Sequence, residues 1–225
     1  MWLADGLAPA AVLADITERA QHAGIPIRRL TRERIEAEAE VEAPQGVVAH
    51  AEPLAEVALA ELTARRPGQP NPFLLLLDGV TDPHNLGTML RTAACAGVTG
   101  VVLPRHRSAL VTPTVTKAAA GAIEHLPLAV VPGAGQALMA LAERGIWTVG
   151  LEASAPVSVF DVQVATEPMA LVLGGEGAGL TRLVRQRCDV LAAIPQTGPA
   201  ATAIGSLNVS AAAAVACFAI ARLRS

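Results

Sequence analysis

Three short segments of this chain carry most of the side chains whose types and spacing could do chemistry. The first, Asp78-Gly-Val-Thr-Asp-Pro-His-Asn-Leu-Gly-Thr-Met-Leu-Arg-Thr-Ala93, offers His84, an amide at Asn85 and a guanidinium at Arg91. The second, Gly174-Gly-Glu-Gly-Ala-Gly179, lets backbone come close to a ligand while leaving one carboxylate, Glu176. The third, Ser206-Leu-Asn-Val-Ser210, places Ser206 and Asn208 where either could cap a following helix. Such a set suits a ligand held by close backbone approach and polarised by one carboxylate and one guanidinium. Singly, each feature has a plainer reading. Asn85 and Asn208 are caps, Arg91 is a solvated charge, and His84 is a structural hydrogen-bonder. The glycine loop is a tight turn, since a dinucleotide-binding GxGxxG follows the first strand of its fold and this one comes late.

These segments need elements to hold them. Residues 73–77, 100–103, 126–131, 146–151, 169–173 and 190–194 are short uninterrupted apolar runs, separated mostly by helix-like stretches. Strands buried on both faces have this pattern, so the chain predicts an α/β fold with a parallel, doubly wound sheet. Helices are expected over 86–96, 113–124, 135–144, 180–187 and 209–223, the first capped by Asn85. Ligands of such sheets bind beyond the carboxyl ends of strands, where all three segments fall. Before the sheet come a helix over 9–22 opened by Pro9, a strand over 25–30, a charged helical turn from Thr31 and a strand over 45–49. Together they make a small α/β unit over residues 1–50. Because Trp2-Leu-Ala already reads as a strand, the unit is expected to lack a preceding helix and strand, with Met1 an internal start. Residues 51–72 are the expected linker, since 63–72 combine three prolines, a glycine and two arginines.

The 225 residues are 52% hydrophobic and 16% charged, with a formal net charge of -3, which excludes intrinsic disorder. Aromatics at 2%, with no Tyr, exclude the base-stacking platforms of single-strand RNA binders. A pI near 6.0 denies a wholesale basic surface, so a nucleic-acid partner would be held by local arginine clusters. Cys95, Cys188 and Cys217 are odd in number, widely spaced and without CxxC or His pairing, which indicates neither a disulfide framework nor a zinc site. No apolar run reaches the roughly 20 residues of a membrane span, and no basic-then-apolar leader opens the chain. The expectation is a cytoplasmic protein with no membrane partner.

Taken in order, DPxNxGxxxRTA, LGGEGAGL and SLNVS closely resemble the three motifs of the SpoU/TrmH family of RNA ribose 2'-O-methyltransferases, over roughly residues 73–225. The resemblance implies a C-terminal trefoil knot of the SPOUT type, S-adenosylmethionine held in the knotted loops, and a homodimer whose interface completes the active site. Gly174, Ile194 and Leu207 match the positions that hold the cofactor mainly through backbone. Asn85, Arg91, Glu176, Ser206 and Asn208 match the catalytic and site-forming polar residues. Residues 73–87 look most like the branch that methylates a guanosine of 23S rRNA. Residues 44–49 are similar to the end of that branch's ribosomal-protein-like recognition domain, whose beginning this sequence is expected to lack. The run from Gln196 to Gly205 departs from the family by being a few residues longer, with Gln196 where Met is common.

The reaction so implied needs a positioned sulfonium, a hydroxyl in line with it and a destination for the hydroxyl proton; no metal is required. Under the resemblance, Arg91 contacts the target nucleotide's phosphate and hydroxyl, with Glu176 and Asn85 holding the guanidinium. A guanidinium pKa above about 12 makes Arg91 a stabiliser of the developing alkoxide rather than a base. RNA is expected on Arg28, Arg29, Arg32 and Arg34, on Arg65 and Arg66, and on Arg105 and Arg107. A tRNA-directed or resistance-type methylase shares the same motifs. A non-catalytic RNA-binding or ribosome-assembly protein on the same fold is opposed by the intact polar set, and a nicotinamide-dependent oxidoreductase by the late glycine loop.

Overall fold

Short strands and short helices build the first of the two units into which the chain divides, Met1–Leu54 and Ala55–Ser225, in a computed structural model that describes residues 1–198 and 205–225. In the smaller unit, Trp2–Ala4 (β1) pairs in parallel with Arg28–Leu30 (β2) and antiparallel with Val47–Val48 (β3). Its helices are Ala11–His22 (α1) and Arg32–Glu38 (α2). α1 starts later than Pro9 suggested, with Ala10 at the cap and no side chain to satisfy its first N–H groups. α2 starts where the Thr31 hydroxyl accepts a hydrogen bond from the Arg34 N–H. Leu3, Ala4, Ala20 and Ile35 form the buried interior, and the Trp2 ring meets the His50 ring edge-on at 4.8 Å.

The larger unit begins inside the stretch expected to be linker. Val57 donates its N–H to Leu128 O, and Leu59–Leu62 (α3) buries Leu62 against Gly100, where an added Cβ would lie 2.6 Å from Leu62 Cδ2. Leu62 in the core cluster, with Val57 and Leu59 packed against it, thus draws residues 55–62 into the unit, while 63–72 form no helix or strand.

Six strands follow the expected runs closely: Phe73–Asp78 (β4), Gly100–Pro104 (β5), Leu128–Val131 (β6), Trp147–Leu151 (β7), Met169–Gly174 (β9) and Val190–Ala193 (β10). The two-residue strand Val157–Ser158 (β8) is additional. The sheet order is β6-β5-β4-β9-β7-β10-β8 and every pairing is parallel. β9, late in the chain, therefore lies between β4 and β7, and the last pair of the β4–β9 register is Asp78 opposite Gly174.

Pro83–Cys95 (α4), Pro113–Ala119 (α5), Ala134–Glu143 (α6), Arg182–Arg187 (α7) and Val209–Arg224 (α8) complete the fold. Leu74, Leu76, Ala170 and Val172 share a buried cluster with Ala137, Leu138 and Leu141 of α6 and Val184 of α7. Alternation along a strand puts the equally buried Leu75 and Leu77 on the opposite face, where α4 and α8 pack together. The sheet is covered on both faces, as its apolar strands require.

In the larger unit two helix boundaries depart from expectation by three residues or more. The helix expected over 113–124 stops at Ala119, because Ala120 and Gly121 both take left-handed backbone; a 3-10 turn, Ala122–His125, follows. α4 begins at Pro83, with Asp82 rather than Asn85 as its cap; the Asp82 carboxylate accepts from the His84 N–H at 2.9 Å. At the far end of α8, Arg224 donates to Ala165 O, Glu167 O and Asn71 O and lies 5.3 Å from the centre of the Phe73 ring. Among the described residues, no helix is long and apolar enough to cross a membrane, and no group of three or more His, Cys, Asp or Glu could hold a metal ion.

Candidate active site

The site grows from the carboxyl ends of the two central strands. At the end of β4, one carboxylate oxygen of Asp78 accepts from both the Thr181 N–H (3.0 Å) and the Thr181 hydroxyl (2.7 Å). This clamp ties the start of α7 to β4 and forces the glycine-rich segment after β9 into a tight loop. There Gly179 N–H donates to Gly175 O and Ala178 N–H to Glu176 O. Glycine is required here by contact rather than by turn type. A Cβ on Gly174 would lie 2.0 Å from the carbonyl carbon of Gly179, and one on Gly175 would lie 2.1 Å from Gly79 O.

The loop presents Glu176 at its exposed tip, where the carboxylate accepts from the Asn85 side-chain amide at 3.0 Å. Asn85 is free for this contact because Asp82 has taken over the capping of α4. Its carbonyl oxygen in turn accepts from the Asn208 side-chain N–H at 3.4 Å. Asn208 is also the cap of α8, as expected, its oxygen accepting from Ser210 N–H (2.9 Å), the Ser210 hydroxyl (2.6 Å) and Ala211 N–H (3.4 Å). The capping and functional readings of Asn208 are therefore compatible. One hydrogen-bonded chain, Glu176–Asn85–Asn208, joins three segments that are remote in sequence.

Arg91 is not part of this chain. It is exposed on the face of α4 that carries His84, Thr88 and Cys95, and it has no hydrogen-bond or ion-pair partner among the described residues. The Glu176 carboxylate, expected to hold the guanidinium, takes the Asn85 amide instead.

Beside the network lies a cavity of about 460 Å3. Gly174 and Glu176 of the glycine loop, Ser206, Leu207 and Asn208 of the last motif, and Ile194 just past β10 all line it, so two of the motifs and one strand end converge on one space; Asn85 and Arg91 are not in its wall. Leu151 and Leu173 add apolar surface from β7 and β9. A second cavity of about 430 Å3 shares Ala153, Ile194 and Gln196 with the first. Of the lengthened loop, residues 199–204 lie outside the described residues.

Sequence reasoning missed Glu152, which lines the larger cavity. It directly follows β7, and the rule that ligands bind past strand ends could have found it. The charge balance of the wall is informative. Its described residues include two carboxylates, Glu152 and Glu176, and no Lys, Arg or His. The helix N-terminus that borders it has N–H groups already taken by Asn208. A pyrophosphate would find no cation and no open helix end there, whereas a cationic ligand of nucleoside size meets favourable charge and apolar walls.

Residues 72–218 match the model of the SpoU rRNA Methylase family. The 23S rRNA (guanosine-2'-O-)-methyltransferase RlmB of Pasteurella multocida is 43% identical over 202 residues, covering 89% of this chain and 80% of that protein. Its counterpart in Pseudomonas aeruginosa is 42% identical over 228 residues, covering 100% of this chain and 88% of the other. Among solved structures, the SpoU methyltransferase AviRb from Streptomyces viridochromogenes superposes with a TM-score of 0.78 at 25% identity, covering 99% of this chain and 80% of that one. The AdoMet-bound rRNA methyltransferase from Sinorhizobium meliloti gives 0.76 at 25% identity, over 94% and 77%. The three motifs, the parallel sheet whose central strand ends carry two of them, and these likenesses agree: the chain belongs to the SpoU rRNA methylase family.

Proposed function

We propose that this protein transfers the methyl group of S-adenosylmethionine to a ribose 2'-hydroxyl of RNA, with a guanosine of 23S rRNA as the target. The observation that carries this reading is the Glu176–Asn85–Asn208 network standing beside a nucleoside-sized cavity that bears two carboxylates and no cation. The names of the relatives support the choice of rRNA. Bound there, S-adenosylmethionine supplies a cationic sulfonium whose methyl is the electrophile.

The chain's own residues have separable tasks. Gly174, Ile194 and Leu207 wall the cavity and present backbone to the cofactor, the glycine because nothing larger fits against Gly179. Glu176 and Asn208, joined through Asn85, make a rigid polar frame at the cavity's edge, with the Ser206 hydroxyl beside it. Arg91 stabilises the alkoxide as the 2'-hydroxyl gives up its proton to phosphate or water. Its exposed place on α4 supports delivery into the site of a second copy in a homodimer. Phe218 on the neighbouring α8, 51% exposed, supports the same interface. The insertion of β9 between β4 and β7, and the return of the chain from β10 to set Asn208 against Asn85, are the features that support a trefoil knot. Arg28, Arg29, Arg32 and Arg34 of the first unit, the Arg65–Arg66 pair, and Arg105 with Arg107 are the proposed RNA contacts.

The test is transfer of labelled methyl from S-adenosylmethionine to unmodified 23S rRNA and, in parallel, to unmodified tRNA. The product is mapped by the resistance of a 2'-O-methylated ribose to alkaline cleavage. Label at one 23S guanosine is the expected result. Label confined to tRNA would overturn the substrate, and no transfer to either RNA would overturn the activity.

A further inference from the structure

Glu176 is spoken for by Asn85, but the second carboxylate of the cavity has no partner closer than 3.5 Å among the described residues. Glu152 is set immediately past β7, its N–H donating to Ala192 O at 2.9 Å, so its backbone is held as an extension of the β7–β10 ladder. Its side chain is only 22% exposed. The carboxylate nevertheless has two long contacts, the Ser154 hydroxyl at 3.5 Å and Arg185 Nε at 3.9 Å. An ionised carboxylate accepts through two oxygens and forms charge-assisted bonds at about 2.7–2.9 Å. A sheltered carboxylate so loosely engaged in a cavity wall is matched by an occupant that brings hydrogen-bond donors.

Position narrows which donors. Glu152 lines the larger cavity, and its neighbour Ala153 lines both cavities, as do Ile194 and Gln196. Glu152 thus stands in the wall of the larger cavity directly beside a residue that both cavities share. A ligand made of a flat base, a sugar and an amino-acid arm, laid across both, puts its middle part there. The middle part is the ribose, whose vicinal hydroxyls present two adjacent O–H donors to the two oxygens of one carboxylate. Resting on the cofactor reading above, we infer that Glu152 accepts hydrogen bonds from the ribose diol of the bound adenosyl cofactor and makes the cavity select ribonucleosides over deoxyribonucleosides.

Calorimetric titration tests this without catalysis. The ligands are S-adenosylhomocysteine, its 2'-deoxy and 3'-deoxy analogues, and 5'-methylthioadenosine, against the wild type, Glu152→Gln and Glu152→Asp. Wild type is expected to bind each deoxy analogue about tenfold more weakly than the parent, the scale of a hydrogen bond to a charged group. In Glu152→Gln the parent weakens by a similar factor and the discrimination shrinks to about twofold or less. 5'-Methylthioadenosine, which keeps the diol and lacks the ammonium, still weakens on going from wild type to Glu152→Gln. Equal discrimination in wild type and Glu152→Gln would overturn the role of Glu152 while leaving the cofactor reading intact. So would a Glu152 dependence that vanishes with 5'-methylthioadenosine, since the ammonium would then be the partner. Failure of the wild type to bind S-adenosylhomocysteine at all would overturn both. Retained binding of the parent by Glu152→Asp shows that the cavity still forms when this side chain is altered.

Discussion

Arg91 is exposed and has no hydrogen-bond or ion-pair partner among the described residues, so its removal takes little from the folded state. Arg91→Ala is expected to leave stability within about 0.5 kcal/mol of wild type and to lower the single-turnover methyl-transfer rate by about a hundredfold or more. Arg91→Lys separates charge from shape. A retained fraction of the rate points to simple electrostatics, and complete silence points to the planar fork of the guanidinium. Thermal melts beside the rate measurements check both halves. The cysteines behave differently from one another. Burial, reinforced by Asp189 and Asp78, pushes the Cys188 thiol up to about 12, and burial alone does the same for Cys217, both from an ordinary value of 9.0. Each is favoured in its neutral form by the fold, so the unfolded chain deprotonates first and stability falls as pH rises from about 9 toward about 12. Denaturant melts at pH 8, 9 and 10 should show the fall, and Cys188→Ala should reduce it. At pH 8 a thiol reagent should modify the exposed Cys95 and leave the other two untouched until denaturant is added. At this scale several residues that line the cavity could be named from the family resemblance, but their hydrogen-bond partners could not. Nothing in the string DPHN says that the aspartate caps and the asparagine is thereby released to Glu176.

The glycine loop after β9 joins strand to helix within a few residues, and its glycines differ in what they tolerate. A methyl group on Gly175 meets the carbonyl oxygen of Gly79 at 2.1 Å, so either the β4 or the β9 turn must move. Gly175→Ala should destabilise by about 2–3 kcal/mol and abolish S-adenosylhomocysteine binding. Gly177 has open space around it and a φ of +73°, so Gly177→Ala should cost only about 1 kcal/mol, with binding retained. Chemical denaturation and calorimetry on the two variants decide the matter, and equal losses would remove the distinction between close approach and backbone freedom. The strands themselves were readable from sequence because runs such as Phe73-Leu-Leu-Leu-Leu77 leave no polar face for solvent. The break after α5 was not, since alanine gives no sign that Ala120 will adopt left-handed backbone. Nor was β8, two residues long, whose place depends on having β10 beside it. Glu152 escaped notice because its meaning lies in the cavity, and the cavity exists only once residues from β7, β9 and the α8 cap meet.

Across the whole chain, charge is unevenly divided. Residues 1–54 hold five arginines against nine carboxylates, and residues 55–225 hold twelve Lys and Arg against eleven. Any RNA contact by the first unit must therefore be local, on Arg28, Arg29, Arg32 and Arg34, and of these Arg32 already pairs with Glu36 at 3.0 Å. If these positions contact RNA, affinity should fall steeply with added salt, and replacing Arg28 and Arg29 together should flatten that slope. Filter binding at several salt concentrations measures it. The proposed homodimer makes a sharper prediction. Arg91→Ala and Glu176→Gln subunits, each inactive alone, should regain activity when unfolded and refolded together, because a mixed pair rebuilds one complete site. No recovery would place both residues in a site made by a single chain. The sheet order has one more consequence, for the ribosome-bound chain. β4 is complete once residue 78 has been made, yet the strand that seals its exposed edge ends at residue 174. At an elongation rate of about 5–20 residues per second that is a wait of roughly 5–20 s. Throughout it the nascent chain carries an almost wholly apolar leucine strand with one side unpaired. The window between translating β4 and translating β9 is thus the interval in which this protein most needs a chaperone, and the interval that slow codons between them would lengthen.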